Sequence, residues 1–160
     1  MPFFEERLIS DTIEIKAPPE RAFAYVTGIV DDHTYRAWHE KDHVSFKWLC
    51  GEPWKKGSML CAEEYINGKL HKLKFRVTEV VPNRKIEYAP VSGFLRLFFP
   101  KSCFLFERQG DACLFTASIW YRIGWIGKKL FPKAIDKSLA NVKKHMKEEG
   151  ENLKKALEQA

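Results

Sequence analysis

The pattern of apolar and polar residues is helical over one long segment near the end of the chain, residues 133–158. At about 100° per residue, the apolar positions form one stripe, and most lysines and glutamates fall opposite it. The stripe consists of Leu139, Val142, Met146, Gly150, Leu153 and Leu157. We therefore expect an amphipathic helix that packs against another layer. His145 and Glu149, four residues apart at the margin of the stripe, project together, either to solvent or into the space that the helix covers.

Upstream of this helix, the chain begins with one strand and two short helices. Residues 9–16 alternate apolar and polar side chains with the period of two that is typical of a strand. Pro19 is well placed for the first turn of a helix. A second short helix is expected over residues 31–39, with Asp31 or Asp32 as its N-cap.

The sequence pattern predicts a series of further strands in the middle of the chain. They are predicted over residues 44–49, 58–66, 69–81, 85–89, 94–108 and 112–123. Pro100 should bend or split the fifth of these, because proline cannot donate to a sheet ladder. Residues 124–132 form an aromatic, basic connection to the final helix. Within this connection Trp125, Ile126, Leu130 and Phe131 are expected to pack, with a lid or a membrane contact as alternatives.

The dipeptide Asn67-Gly68 predicts a tight hairpin turn, and this turn fixes the register of its two strands. Glu64 should face His71 directly across the hairpin, on the side that carries the apolar residues of the second strand. Glu63 and Lys72 should form an exposed ion pair on the other side. The prediction therefore places one carboxylate and one imidazole on the inward face of the sheet.

Composition limits the class of protein. The chain has 27 basic and 21 acidic residues, and a solvated lysine face on the last helix accounts for the excess, so nucleic-acid binding is not expected. Its four cysteines lack metal-knuckle spacing and are expected to be reduced and buried. No apolar run is long enough to span a bilayer. The opening residues do not resemble a signal peptide, so a cytoplasmic location is expected.

This order of elements predicts an α+β fold, a curved antiparallel sheet wrapped around a long C-terminal helix, in a single domain over residues 1–160. It resembles the START-like or Bet v 1-like (SRPBCC) helix-grip superfamily. The resemblance rests on the segment 13–23, on Gly57, on the segments 77–82 and 86–88, and on the closing helix. Members of this superfamily enclose a ligand cavity, so a hydrophobic or aromatic small molecule is the expected partner.

A more specific resemblance lies in the segment 35–48. Its pattern Tyr-x-x-Trp-His-x-x-Asp-His is similar to the motif of the diacetylphloroglucinol hydrolase group, a metal-dependent branch of the superfamily. That group cleaves a carbon–carbon bond between an acyl group and a phenolic ring, with zinc held by histidine and glutamate. The resemblance implies that His43 and Glu64 are metal ligands and that His145 and Glu149 supply further site residues. Tyr35 and His39 would lie nearby.

The residues support part of this set independently. His43, Glu64, His71, His145 and Glu149 come from separate segments, and each is predicted to face one cavity. Isolated charges are costly to bury, and a divalent cation such as zinc suits a mixed imidazole and carboxylate set. We therefore expect three ligands from His43, Glu64, His145 and Glu149.

The remaining polar residues have predicted roles in the chemistry. His71 or His39 would act as the general base or would orient a ligand, and Tyr35 would donate to a phenolic or carbonyl oxygen. The sequence leaves open alternatives in which these residues have no role in chemistry: a buried Glu64–His71 pair, a surface His145–Glu149 pair, and solvent-facing His39 and His43. It also leaves open a metal-free protein that binds a hydrophobic small molecule or lipid, or that resembles a polyketide cyclase.

Overall fold

One antiparallel sheet curves around one long helix in this computed structural model, which describes residues 3–159. The strands are β1 (Phe4–Ile15), β2 (His43–Cys50), β3 (Met59–Ile66), β4 (Lys69–Val81), β5 (Lys85–Pro90), β6 (Lys101–Gln109) and β7 (Ala112–Gly124). The helices are α1 (Pro19–Thr27), α2 (Asp32–Trp38), α3 (Gly93–Phe98), α4 (Trp125–Leu130) and α5 (Pro132–Glu158). Met1 and Pro2, part of the opening segment judged not to be a signal peptide, lie outside the described residues, as does Ala160.

The sheet has the strand order β1-β7-β6-β5-β4-β3-β2, and all neighbouring strands are antiparallel. This confirms the predicted α+β architecture. The hairpin register is also confirmed, with Glu64 opposite His71 across β3 and β4. The expected Glu63–Lys72 ion pair is wrong, because the Glu63 carboxylate accepts a hydrogen bond from the Ser45 hydroxyl at 2.9 Å instead.

The two short helices after β1 begin as predicted. Pro19 lies in the first turn of α1, and Asp31 caps α2. The Asp31 side chain accepts from the backbone N–H of Thr34 at 2.9 Å, and the Thr34 hydroxyl accepts from the backbone N–H of Asp31 at 3.2 Å. This reciprocal capping box satisfies two donors that would otherwise lack partners at the helix start.

Residues 94–98 are helical and not part of a strand, which corrects the prediction of one strand over residues 94–108. The Ser92 hydroxyl caps α3 by accepting from the backbone N–H of Leu95 at 3.3 Å. This segment lacks the apolar–polar alternation that a half-buried strand requires. The sixth strand starts only after Pro100, and the connection after β7 contains the short helix α4.

Helix α5 packs by the predicted stripe. Met146, Gly150, Leu153 and Leu157 are buried, and the helix starts at Pro132, one residue before the predicted start. A Cβ atom at Gly150 would lie 3.3 Å from the Ile13 Cγ2 atom, so glycine allows the helix to approach β1 closely. The aromatic side chains of Phe104, Phe106 and Phe115 complete the core on the sheet side.

The stripe should carry much of the stability. Leu153→Ala removes a side chain that is 0% exposed, and we expect it to lower the free energy of unfolding by about 2–5 kcal/mol, because a cavity remains. Leu130→Ala is the matched control, since Leu130 is 62% exposed, and it should cost less than about 0.5 kcal/mol. Urea unfolding of both variants measures the difference, and equal losses would contradict this account of the core.

Candidate metal centre

A cavity of about 590 Å³ lies between the sheet and α5. Its walls are mainly aromatic and aliphatic, and they include Ile29, Trp38, Phe46, Leu60, Phe75, Phe104, Phe115 and Met146. A few polar side chains interrupt this surface, among them Glu64, His71, His145 and Glu149. The helix therefore covers a space that an apolar small molecule can fill, with polar groups concentrated at one part of its wall.

Four of the predicted metal ligands converge at that polar part. The His43 Nε2 atom lies 3.7 Å from a Glu64 carboxylate oxygen and 3.4 Å from a Glu149 oxygen. The His145 Nε2 atom lies 3.7 Å from Glu64 and 3.0 Å from Glu149. The two carboxylate side chains are only 14% and 15% exposed. His145 and Glu149 therefore face the cavity, which rules out the interpretation as a surface pair.

Hydrogen bonds behind the two imidazoles fix which nitrogen faces the carboxylates. The His43 Nδ1 atom lies 2.9 Å from the Tyr35 carbonyl oxygen, and the His145 Nδ1 atom lies 3.1 Å from an Asp42 carboxylate oxygen. Both partners are acceptors, so both Nδ1 atoms must donate. In a neutral ring this leaves an Nε2 lone pair that points at the cluster, the arrangement common for metal-binding histidines.

The free Nε2 atoms provide a test of whether a metal fits. Both are buried and make no hydrogen bond to any described residue. Ligand atoms of His43, Glu64 and His145 all lie within 4.8 Å of one another. Two ligand atoms about 2.1 Å from a tetrahedral zinc ion lie about 3.4 Å apart, close to the 3.7 Å that separates each of the two Nε2 atoms from the same Glu64 oxygen. The residues present therefore fit a zinc-like cation.

The cluster also perturbs the charges of its members. Burial by itself lowers the pKa of His145, but the carboxylates of Glu149 and Glu64 outweigh burial and raise the pKa to about 12. Burial raises the pKa of Glu149, whereas His145 and His43 outweigh this and hold the pKa far below its usual value. Without a cation, His145 and Glu149 thus form a buried imidazolium–carboxylate pair.

Two tyrosines lie against the same carboxylates. The Tyr35 hydroxyl donates to Glu64, and its ring stacks on His43 with centroids 3.8 Å apart. Desolvation is the main cause that raises the pKa of Tyr35 well above its usual value, and the charges of Glu64 and Glu149 add to it. Desolvation also raises the pKa of Tyr88, where the charge of Glu149 contributes more than that of Glu64. Both phenols therefore remain protonated and can serve as hydrogen-bond donors.

The other two histidines predicted to take part occupy different positions. His71 lines the cavity beside Glu64, and no hydrogen bond or ion pair joins the two side chains within the described part of the chain. His39 is buried on the Nδ1 side of His145, where its Nε2 atom lies 2.9 Å from a Glu148 oxygen and 3.5 Å from Asp42. His39 lines a separate hollow outside the cavity, and neither His39 nor His43 faces solvent.

Sequence reasoning assigned no role to three residues that the structure places at or behind the cluster. Asp42 orients His145, Glu148 holds His39, and Tyr88 lies close enough to the glutamates to be affected by their charges. Asp42 is part of the Tyr-x-x-Trp-His-x-x-Asp-His pattern, which was a usable signal. Tyr88 was visible only as an alternating position of β5, which does not distinguish a site residue from a core residue.

The fold places the chain in the Bet v 1-like class of helix-grip proteins. Residues 7–158 match the protein-family model described as polyketide cyclase / dehydrase and lipid transport, and the chain belongs to that family. No curated protein matches the chain significantly. In the part of the chain that the structure describes, no helix combines the length and the apolar character needed to cross a membrane.

Solved structures agree with this assignment at the level of the fold. The Zhui aromatase/cyclase from Streptomyces sp. R1128 is similar with a TM-score of 0.74 and 13% identity, over 97% of this chain and 95% of that one. Norcoclaurine synthase from Thalictrum flavum, in complex with dopamine and hydroxybenzaldehyde, gives a TM-score of 0.68 and 12% identity, over 98% and 89%. Ara h 8.0201 gives a TM-score of 0.68 and 9% identity, over 98% of this chain and 100% of that one.

The buried ion pair predicts a pH-dependent cost for Glu149→Gln in chelator-treated protein. The contribution of His145 is complete below its unfolded pKa of 6.5 and is lost as the pH rises toward 12. The contribution of Glu149 is complete above its unfolded pKa of 4.5 and is lost as the pH falls. We expect a loss of about 3 kcal/mol in unfolding free energy, largest between pH 4.5 and 6.5.

Urea unfolding across this pH range measures the cost. Glu151→Gln, two residues along α5 and exposed, is the control and should change stability little at any pH. A cost for Glu149→Gln that stays constant from pH 5 to pH 9 would contradict the assignment of the ion pair.

Proposed function

We propose that the protein is a zinc-dependent hydrolase that cleaves the carbon–carbon bond between an acyl group and a phenolic ring, or a similar diketone, inside the cavity. The observation that carries this proposal is the pair of buried Nε2 atoms, on His43 and His145, that make no hydrogen bond and lie within 3.0 to 3.7 Å of two carboxylates at the wall of a mainly apolar cavity. Such a cluster is costly to bury unless a cation or a polar ligand uses it. The resemblance of residues 35–43 to the diacetylphloroglucinol hydrolase motif points to the same chemistry.

His43, Glu64, His145 and Glu149 would hold the ion, with three of them as direct ligands. Bound zinc would polarise the acyl carbonyl of the ligand and activate a water molecule. A second cluster of possible ligands, His39, Asp42 and His145, fits less well because its nitrogen atoms already contact Asp42 and Glu148. Asp42 would instead hold the His145 ring in the orientation that presents Nε2.

The other cavity residues would position the ligand and move protons. The apolar walls would hold the aromatic ring, and the Tyr35 hydroxyl, which donates to Glu64 in the structure, would donate instead to the ligand's carbonyl or phenolic oxygen. In the overall hydrolysis the ring–acyl bond breaks, the hydroxyl of water ends on the acyl carbon, and a proton ends on the ring carbon. His71, which lines the cavity next to Glu64, would transfer that proton.

A metal-free protein that binds a hydrophobic molecule, or acts as a cyclase, is the second candidate. It is favoured by the family description and by the His145–Glu149 ion pair, which partly balances the buried charges without a cation. The two candidates differ in whether Glu64 and Glu149 are needed for metal binding, so metal content discriminates between them.

The first prediction of the proposed function concerns metal content. Protein purified without chelators should contain about one equivalent of zinc or a similar ion, because His43, Glu64 and His145 bring three ligand atoms within 4.8 Å of one another, with Glu149 beside them. Glu64→Gln and Glu149→Gln should each lose most of it, since a neutral amide is a poor ligand for zinc. Inductively coupled plasma mass spectrometry gives the content, and circular dichroism checks that the fold is retained.

Neighbouring glutamates provide matched controls. Glu63→Gln on β3 and Glu151→Gln on α5 change the same chemical group outside the cluster, so both should keep the wild-type metal content. If the wild-type protein binds no zinc in a direct titration, or if all four variants bind it equally, the metal-dependent candidate fails and the metal-free one stands.

The second prediction concerns Tyr35. Tyr35→Phe removes one donor from the cavity, so we expect kcat on acylated phloroglucinols to fall by about a hundredfold or more. The variant should still bind zinc, because Tyr35 is not a direct ligand, but loss of its hydrogen bond to Glu64 lowers the affinity, so the rate is measured with zinc in excess. Loss of the aryl-ketone absorbance measures the rate. Tyr65→Phe, an exposed tyrosine, is the control, and a Tyr35→Phe rate equal to its rate would exclude this role.

A further inference from the structure

The exposed apolar side chains are concentrated at one end of the molecule. Because every neighbouring pair of strands is antiparallel, the β3–β4 turn, α3 and α4 all extend from the same end of the sheet. Among the described residues, every exposed large hydrophobic side chain except Leu8, Val30 and Leu49 lies on or beside these segments. We call this end, formed by α3, α4, the first turns of α5 and the β3–β4 turn, the apolar rim.

The rim is continuous. The backbone N–H of Trp125 donates to the Phe3 carbonyl at 3.3 Å, which joins α4 to the start of β1. The Phe4 ring contacts Phe98 of α3 at 6.0 Å between centroids, and Phe98 contacts Phe94 at 5.3 Å, so the continuous part of the rim runs from α3 through the start of β1 to α4. Trp125 is 56% exposed and Phe94 is 71% exposed. The expectation that residues 125, 126, 130 and 131 form a packed connector is therefore wrong, because all four side chains are exposed.

The rim also surrounds the entrance to the cavity. Asn67, Lys69, Leu95, Phe99 and Ser138 line the cavity and are exposed at this end. The lining residues at the opposite end, Ile29 and Trp54, are buried. An apolar molecule that enters or leaves the cavity would therefore pass the rim.

Basic residues flank these apolar side chains. Lys128, Lys129, Lys133 and Lys137 are exposed on α4 and the start of α5, and Arg96 is exposed on α3. Asp136 is the one acidic residue between positions 124 and 137. Glu5 pairs with Lys128 at 2.6 Å, which leaves the other basic groups of the segment in excess. The rim thus combines exposed aromatic side chains with a fringe of positively charged ones, namely the basic residues named above.

We propose that the apolar rim docks on the surface of an anionic lipid bilayer, independently of whether the cavity holds a metal. Tryptophan, leucine and isoleucine favour the boundary between headgroups and acyl chains, while lysines are attracted to anionic headgroups. Docking in this orientation turns the cavity entrance toward the lipid, so an apolar ligand can exchange without crossing water. A second copy of the chain fits less well, because a face-to-face pair would oppose the two lysine fringes.

The test is flotation of the full chain with unilamellar vesicles of phosphatidylcholine, with and without a minority of phosphatidylglycerol. We expect binding to the anionic vesicles, much weaker binding to the neutral ones, and weakening by salt. Trp125 is the exposed tryptophan, whereas Trp38 and Trp54 are buried and Trp48 and Trp120 are partly buried. A blue shift of tryptophan emission should therefore accompany binding and disappear in Trp125→Phe, which preserves the apolar character.

Paired variants separate the contribution of the apolar side chains to membrane binding from that of the lysines. Ile126→Ser with Leu130→Ser should reduce partitioning by about tenfold or more, because both exposed side chains lose their apolar surface. Lys129→Gln with Lys133→Gln should reduce binding to anionic vesicles by about fivefold for each lysine and weaken the salt dependence. The controls lie at the other end of the sheet: Val30→Ser with Leu49→Ser, and Lys55→Gln with Lys56→Gln should bind like the wild type.

Three results would overturn the proposal: no binding to either vesicle, equal loss in the rim and control variants, or binding without a change in Trp125 emission. Sedimentation velocity tests the alternative that a second copy of this chain covers the apolar rim. A dimer that Ile126→Ser with Leu130→Ser dissociates, in a protein that does not float with vesicles, would assign the rim to a second copy of this chain. Because all substituted side chains are exposed, thermal unfolding should be unchanged and serves as the check on folding.

Discussion

The packing of α5 into the concave face of the sheet is the constraint on which the rest of the structure depends. Its apolar stripe, from Met146 to Leu157, buries against β1 and the core aromatics, and Gly150 lets the helix lie close to Ile13. This contact fixes the rotation of the helix about its axis. With that rotation set, His145 and Glu149 at the margin of the stripe face the cavity wall that Glu64 lines, with His43 within 3.7 Å of the Glu64 carboxylate.

The convergence of these groups has an energetic consequence. Four ionisable side chains and two phenols lie together beside a mainly apolar cavity. Burial opposes the charged forms of His145 and Glu149, and their 3.0 Å contact compensates, so the pKa of His145 is raised and that of Glu149 is lowered. Backbone and carboxylate acceptors behind the imidazoles hold the rings in place. The polar wall is therefore preorganised, and a cation or a polar ligand group would meet it with little rearrangement.

The same helix links the polar wall to the apolar rim. The C-terminal half of α5 anchors the core, its middle carries His145 and Glu149, and its first turns follow directly from α4 at the cavity entrance. Glu64 and His71 each lie three residues from the Asn67-Gly68 turn, so part of the polar wall is close to the cavity entrance. A ligand that passes the rim would thus meet apolar surface and charged groups close together, which suits a small aromatic molecule with a polar substituent.

Local sequence patterns determined the elements. The 3.6-residue period of α5, the Asn67-Gly68 turn with its register and the N-cap at Asp31 or Asp32 all follow from interactions among near neighbours, and these predictions were confirmed, with Asp31 as the cap. The family resemblance extended them to the correct fold and to the residues of the polar wall. The segment 94–98 was mispredicted because an apolar run without alternation does not distinguish a short helix from a strand.

Only the tertiary structure decided where the predicted side chains point. The stripe sets which side of α5 faces the sheet, but whether His145 and Glu149 at its margin face solvent or the cavity depends on where the helix lies across the sheet, which no local pattern sets. The separation of His39 from the cavity, the role of Asp42 behind His145 and the exposure of Trp125 and Leu130 likewise depend on contacts between residues far apart in the chain. Sequence patterns fixed which groups are available, and packing over long distances determined which of them meet.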